Sequence, residues 1–232
     1  MTSLSSTTRN ALAVAHLEWL RLSYSKHVPL SLVAISIVIA VAAVARYAFG
    51  AAPTTVYENV ASTGFFGMLG YLIPFLFASS TISEEVVGRT LPFLTSRPVP
   101  RWTILLGKLL VTSLGASSLL FVSMLITYGV IFATQGQSLL THLPLALQQA
   151  TSLSLLATCY CAMCLFWGSV AVEAAGVATA VYLATVEFGA GYILPGAAKL
   201  VSFNTHARKL ANLPDNGFFA HAVLLPDVPQ WV

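Results

Sequence analysis

From Leu109 to Val172 the chain carries no Asp, Glu, Lys or Arg. As a single helix that run would be roughly 95 Å long, about three times the thickness of a bilayer's hydrocarbon core. It must therefore fold back on itself. The polar breaks at Gln135-Gly136-Gln137 and Gly168-Ser169 are where it can turn. Composition agrees: 57% of the 232 residues are hydrophobic and 8% are charged, and the mean hydropathy is +0.82, beyond the range of water-soluble domains. The expected class is an all-α integral membrane protein.

Five spans are predicted. Val28 to Ala45 is the first, with Arg46 to Phe49 at its edge and Pro29 tolerated at its start. Gly50 to Asn59 reads as a short loop. Val60 to Ile82 is the second span; Gly64, Gly67 and Gly70 are spaced to let another helix approach, and Pro74 is expected to kink it. Ile104 to Ala133 is the third, Thr134 to Leu143 a second loop, and Leu145 to Trp167 and Val170 to Leu194 are the fourth and fifth. Met1 to Lys26 is too polar to insert, yet it places Leu12, Ala15, Trp19 and Leu22 at helical spacing, with Glu18, Arg21 and Ser25 on another side. That pattern fits an amphipathic interfacial helix; a disordered leader is the alternative, and a signal peptide fits less well. The domain reading is an interfacial helix at 1–27, a transmembrane domain at 28–195 and an extracytoplasmic segment at 196–232, where Pro214, Pro226 and Pro229 argue against a span.

Basic residues set the expected orientation. With the N-terminus in the cytoplasm, Arg9, Arg21, Lys26, Arg89, Arg97, Arg101 and Lys108 are inside, against Arg46, Lys199, Arg208 and Lys209 outside. The short loops weigh most, and only Arg46 lies in an outer one. The net charge of +3 fits basic cytoplasmic loops near anionic lipid and gives no reason to invoke nucleic acid.

One long charged interval separates two apolar runs, from Glu84 to Lys108. Within it Thr90 to Ser96 reads as a short amphipathic surface helix, stopped by Arg97-Pro98-Val99-Pro100 because proline lacks the amide a helix needs. Leu91, Phe93 and Leu94 offer an exposed apolar patch of the kind that marks a partner site. Arg97 and Arg101 flank the patch, and Glu84 and Glu85 can pair with Arg89 or Arg101 to hold the elbow.

At these residues the sequence resembles the permease subunits of ABC type-2 transporters. Glu84, Glu85, Gly88, Thr90, Leu91, Phe93, Leu94, Ser96, Pro98, Val99, Arg101, Gly107 and Lys108 match the family pattern, while Pro92 and Arg89 depart from it. The resemblance implies an ABC type-2 exporter-like helical bundle. It also implies that segment 83–108 is the coupling element, with Glu84, Glu85, Arg89, Thr90, Leu91, Phe93, Leu94, Arg97 and Arg101 meeting a separate ATPase subunit. It further implies a homodimer or a heterodimer with a related permease. A sixth span is expected after Pro229-Gln230-Trp231-Val232, beyond the last residue given, unless this member does without it.

No nucleotide-binding or hydrolytic motif occurs. Gly107-Lys108 lacks both the upstream glycine and the following Ser or Thr of a phosphate loop. The chain is thus expected not to be an enzyme and to hold no cofactor, ATP and magnesium belonging to the partner. Cys159, Cys161, Met163 and Cys164 could in principle offer soft ligands to Cu(I), but Cys159 points away from Cys161 on a helix and cysteine is an ordinary apolar filler. No metal site is assigned. Glu187 is the sharper oddity, since a carboxylate inside an apolar run is expensive unless protonated, paired or wet. It is expected to face protein, either in a buried network with a neighbouring helix or the Gly189-Ala190-Gly191 break, or on a substrate or proton path.

Two function classes compete. One is the permease of an ATP-driven exporter in the cell membrane. The other is a membrane anchor that passes ATP-driven motion to an extracytoplasmic accessory protein while nothing crosses. A secondary transporter is the weaker third, since no internal repeat is visible.

Overall fold

The computed structural model describes residues 16–22, 24–78, 101–133, 136–171, 174–193, 199 and 201–213, with backbone alone at 101–104, 136–139 and 190–193. All regular structure among them is helical. In chain order these are α1 at 16–22, α2 His27–Tyr47, α3 Pro53–Ala78, α4 Arg101–Phe132 and α5 Gly136–Val170. The fifth apolar run gives α6, Ala175–Tyr182 running on as Leu183–Ile193, and a short α7 spans Phe203–Leu210. Four helices, α2 to α5, are long and apolar enough to cross a membrane, and α6 is a shorter apolar one.

Helix ends fall elsewhere than polarity suggested. Pro53 opens α3, so most of the expected Gly50 to Asn59 loop is helical. The second expected loop is largely the first turns of α5, which runs from Gly136 through Pro144. Gly168 and Ser169 do not make the turn either. Helix α5 continues to Val170, Ser169 Oγ donates to the Phe166 carbonyl at 2.7 Å, and the chain turns at Ala171, whose carbonyl accepts from Ala174 N at 3.0 Å. Polarity marks where the bilayer stops; backbone hydrogen bonding carries a helix past that level into water. Pro74 sits in an uninterrupted stretch, Gly70–Ala78.

The centre of the bundle is the α4–α5 pair, with α3 packed across both. Its polar seam is short-range: Ser117 Oγ donates to the Ser154 carbonyl at 3.1 Å and lies 3.2 Å from Thr158 Oγ1. Lipid offers no hydrophobic drive between helices, so close packing and such bonds hold spans together. Phe65, Phe66, Leu69, Ile73, Leu120, Met124 and Leu153 fill the core. Gly64 and Gly70 seat α3 on two neighbours. A Cβ at Gly64 would stand 3.0 Å from Val38 Cγ1 on α2, and one at Gly70 would stand 3.3 Å from Leu153 Cδ1 on α5.

Two stretches use wide π-type turns, Val60–Leu69 in α3 and Leu183–Ile193 in α6. Such turns are rare and recur at functional positions. Helix α2 packs less than the others, exposing Val33, Ile37, Val41 and Val44. In a bilayer that face is available to lipid or to a second subunit.

Candidate functional site

The site assembles around Glu187. It lies in the π-type stretch of α6 and is fully buried. Its carboxylate meets the N-terminus of α7. Oε2 accepts from Ser202 Oγ at 2.5 Å and from Asn204 N at 3.4 Å, and Oε1 accepts from Phe203 N at 3.1 Å. Ser202 is the N-cap of α7, its oxygen in turn accepting from Thr205 N at 3.3 Å. A helix N-terminus leaves unmatched amide donors and a partial positive charge, so a carboxylate there is doubly favoured. These bonds tie Glu187 to the start of α7.

The partner of that network was missed in the sequence. Residues 196–232 read as an extracytoplasmic segment whose prolines argue against a span; within it α7 turns Asn204, Thr205, Ala207 and Arg208 into the bundle. Asn204 Nδ2 donates to the Tyr71 hydroxyl on α3, and Arg208 donates to the Ser62 carbonyl in the π-type stretch of the same helix. Gln148 Nε2 of α5 donates to the Leu210 carbonyl at 2.8 Å. Ser202 therefore lies back at the depth of Glu187, well inside Ile193 where α6 ends. Helix α7 folds back against the bundle, its first amides taken up by Glu187 and the Leu210 carbonyl by Gln148. Its inward face carries Asn204, Thr205 and Arg208 while Phe203 and Leu210 face outward, so apolar periodicity did not flag it.

Tyr71 links this network to a groove. A cavity of about 330 Å³ runs between α3 and α6, lined by Gly67, Met68, Tyr71, Leu72, Leu183 and Phe188 among others. Its wall is almost wholly apolar. The Tyr71 ring stacks on Tyr160 of α5, centroids 5.1 Å apart, and on Phe188, 5.4 Å apart.

At the other end of the bundle, Lys108 of α4 is buried and its Nζ lies 3.6 Å from Glu18 Oε1 of α1. Arg21 adds a second cation 3.8 Å from the same oxygen. The polar side of α1 thus faces protein, and Leu17, Trp19 and Leu20 face outward, as suits a helix lying in a membrane interface. Leu22 reaches Gly115, where a Cβ would stand 3.0 Å from its Cδ2. Lys108 is one of the residues on which the family resemblance rests, and its pairing with Glu18 gives that lysine a physical role.

The expected partner-binding residues Glu84, Glu85, Arg89, Thr90, Leu91, Phe93, Leu94 and Arg97 lie outside the described residues. Arg101 opens α4. Cys159 is exposed while Cys161 and Cys164 are buried, and no cluster of three or more His, Cys, Asp or Glu occurs among the described residues.

The profile of the ABC-2 family transporter proteins matches residues 15–194, from α1 to the end of α6. The chain belongs to the ABC-2 transporter family. It is accordingly a multi-pass membrane permease of an ABC transporter, working alongside an ABC ATPase and not in its place. No curated protein and no solved structure matches the permease. The matched stretch includes Glu18, Lys108, Tyr71 and Glu187 but stops before α7.

Proposed function

We propose that the permease is the membrane half of an ATP-driven exporter in the cell membrane, its N-terminus in the cytoplasm, pairing with itself or a related permease above two ATPase subunits. Segment 83–108 receives the ATPase: Leu91, Phe93 and Leu94 supply apolar contact and Arg97 and Arg101 orient the encounter. The observation that supports this reading is the ion pair between buried Lys108, seven residues past Arg101, and half-buried Glu18. It gives the segment a rigid mount on α4 and α1, so that a push on the segment is delivered to the core α4–α5 pair instead of being lost in a loose loop. The apolar groove between α3 and α6 favours transport of an apolar or amphipathic molecule over purely mechanical anchoring.

Co-purification tests the docking. Phe93→Ala and Leu94→Asp should each lower the amount of ATPase recovered with the permease and uncouple its hydrolysis, with insertion into the membrane unchanged. Recovery at wild-type stoichiometry and turnover for both variants would rule the segment out.

A further inference from the structure

Helix α6 packs on α5 and α7, and α3 packs on α4 and α5. That leaves a lengthwise groove between α3 and α6, walled by Gly67, Met68, Leu72 and Phe75 on one side and Ala184 and Phe188 on the other. Gly67 and Ala184 keep it open because they carry at most a methyl group. Among the residues that line it none is charged and Tyr71 alone has a hydroxyl, which meets Asn204 of α7 while the ring lies against Phe188. The groove thus offers hydrocarbon and no anchor for a polar group. Met68, Ala184 and Phe188 are exposed, so it opens outward, and Gly67 to Phe75 belong to a helix long and apolar enough to cross a membrane. In a bilayer the open side faces acyl chains. Width narrows the choice of occupant further. From Gly67 to Phe75 helix α3 rises about 12 Å, so a cavity of about 330 Å³ along that length has a cross-section of roughly 27 Å². An α-helix, about 10 Å across, needs roughly three times as much. One extended hydrocarbon chain fits.

We propose that this groove is a binding site for one acyl chain of a bilayer phospholipid, which enters sideways from the membrane and completes the packing between α3 and α6. Lipid tails are as apolar as the walls, so leaving the surrounding bilayer brings no hydrophobic gain. Packing favours the site instead: a chain in the groove meets protein atoms on several sides, whereas a chain against the outside of a single helix meets them on one. Recognition is of the chain and not of the headgroup. Helix α2 supplies the comparison, since Val33, Ile37 and Val41 are also exposed but stand on the outward face of one helix. The site concerns occupancy of the groove and rests neither on export nor on ATPase docking, so a Phe93→Ala permease that loses the ATPase keeps the chain.

The test is photo-labelling from within the bilayer. The full permease is placed in nanodiscs containing phosphatidylcholine with a diazirine at mid-chain, irradiated, and the labelled residues are quantified by mass spectrometry. Labelling at Met68, Leu72 and Leu183 should exceed that at Val33, Ile37 and Val41 by roughly three-fold or more, the preference that a handful of extra dispersion contacts gives. Ala184→Phe fills the groove and should bring Met68 and Leu72 down to the α2 level. Val181→Phe, at an exposed position of α6 that does not line the groove, should leave the ratio as it is, which separates filling from a mere change of surface. Phosphatidylglycerol carrying the same chain should give the same ratio. Equal labelling of the two sets overturns the proposal, as does an Ala184→Phe pattern like the parent's or a label that requires one headgroup. A disulfide between two copies at Ala184→Cys, with the native cysteines replaced and the groove unlabelled, would make a second permease the occupant and overturn it too. Should Ala184→Phe fail to assemble, Ala180→Leu, exposed on the same wall, fills the groove in its place, and the parent ratio still decides.

Discussion

Replacing Lys108 by methionine removes the charge while keeping most of the side chain's length, and it should detach α1 from α4. The lysine side chain is 3% exposed and Glu18 12%, with 3.6 Å between Nζ and Oε1. At an effective dielectric of about 20 the gross attraction at that distance is roughly 4–5 kcal/mol. Desolvation of both groups offsets much of it, so the pairwise coupling should be about 1–3 kcal/mol. Each single change costs more than that coupling alone would suggest, since the remaining group keeps its desolvation with one partner fewer. Glu18→Gln should cost about 3–4 kcal/mol because Lys108 is the deeper group, and Lys108→Met about 3 kcal/mol because Arg21 still serves Glu18.

The assay is a double-mutant cycle on the purified permease, with unfolding followed in denaturing detergent and cleavage near α1 followed in parallel. The Glu18→Gln/Lys108→Met double variant should be less destabilised than the sum of the two singles by the coupling energy. The exchanged pair Glu18→Lys/Lys108→Glu should recover part of the loss. Additivity within about 0.5 kcal/mol would refute the argument, because it would mean that the two charges do not hold one another and that α1 is attached by Leu22 and its neighbours alone.

Three further outcomes follow from the geometry. Gly70→Ala should destabilise by about 1–3 kcal/mol in the same unfolding assay, since the added Cβ would stand 3.0 Å from the Phe65 carbonyl oxygen and 3.3 Å from Leu153. Gly129→Ala, which meets nothing within 4 Å, should be neutral or stabilising by up to about 1 kcal/mol; equal effects would contradict the packing described. Tyr71→Phe removes the oxygen that the buried Asn204 amide reaches, and should cost about 1–2 kcal/mol while loosening α7 in a limited-proteolysis assay; unchanged cleavage would place the hold on α7 elsewhere. In intact cells, an impermeant thiol reagent should label Asn212→Cys, an exposed position after α7, and should reach Ser96→Cys only after permeabilisation. The opposite pattern would invert the proposed orientation.

Hydropathy alone located α2 to α5, because a run of uncharged residues long enough to cross a bilayer has few other uses. It misjudged their ends for the same reason. Gln137, Ser138, Thr141 and His142 are polar and helical at once, and Gly168-Ser169 are turn formers that a helix already anchored in its apolar part can absorb. Glu187 stood out as a carboxylate without a visible reason. Its partners could not be read because Ser202 to Asn204 follow it by fifteen to seventeen residues across a stretch that hydropathy assigns to water. Lys108 stood out through the family resemblance, but Glu18 lies ninety residues earlier. Nothing in local periodicity joins two side chains that meet only once α1 folds against α4.

Both failures have one physical source. In water, apolar faces turn inward and sequence patterns report them; in a bilayer the exterior is already apolar, and the faces that gain from burial are polar ones. Helices α1 and α7 each present such a face to the bundle, α1 through Glu18 to Lys108 and α7 through Ser202 and its first amides to Glu187. They sit at opposite ends of the central α4–α5 pair, which is itself joined by Ser117, Ser154 and Thr158. A core packed from Phe65, Leu120 and Leu153 responds to little short of unfolding. Attachments that include a buried polar or ionic contact respond to hydration or to a competing charge. A transporter has to keep its central helices intact while elements at its two ends move, and a rigid apolar core with ionic fastenings at its ends meets both requirements.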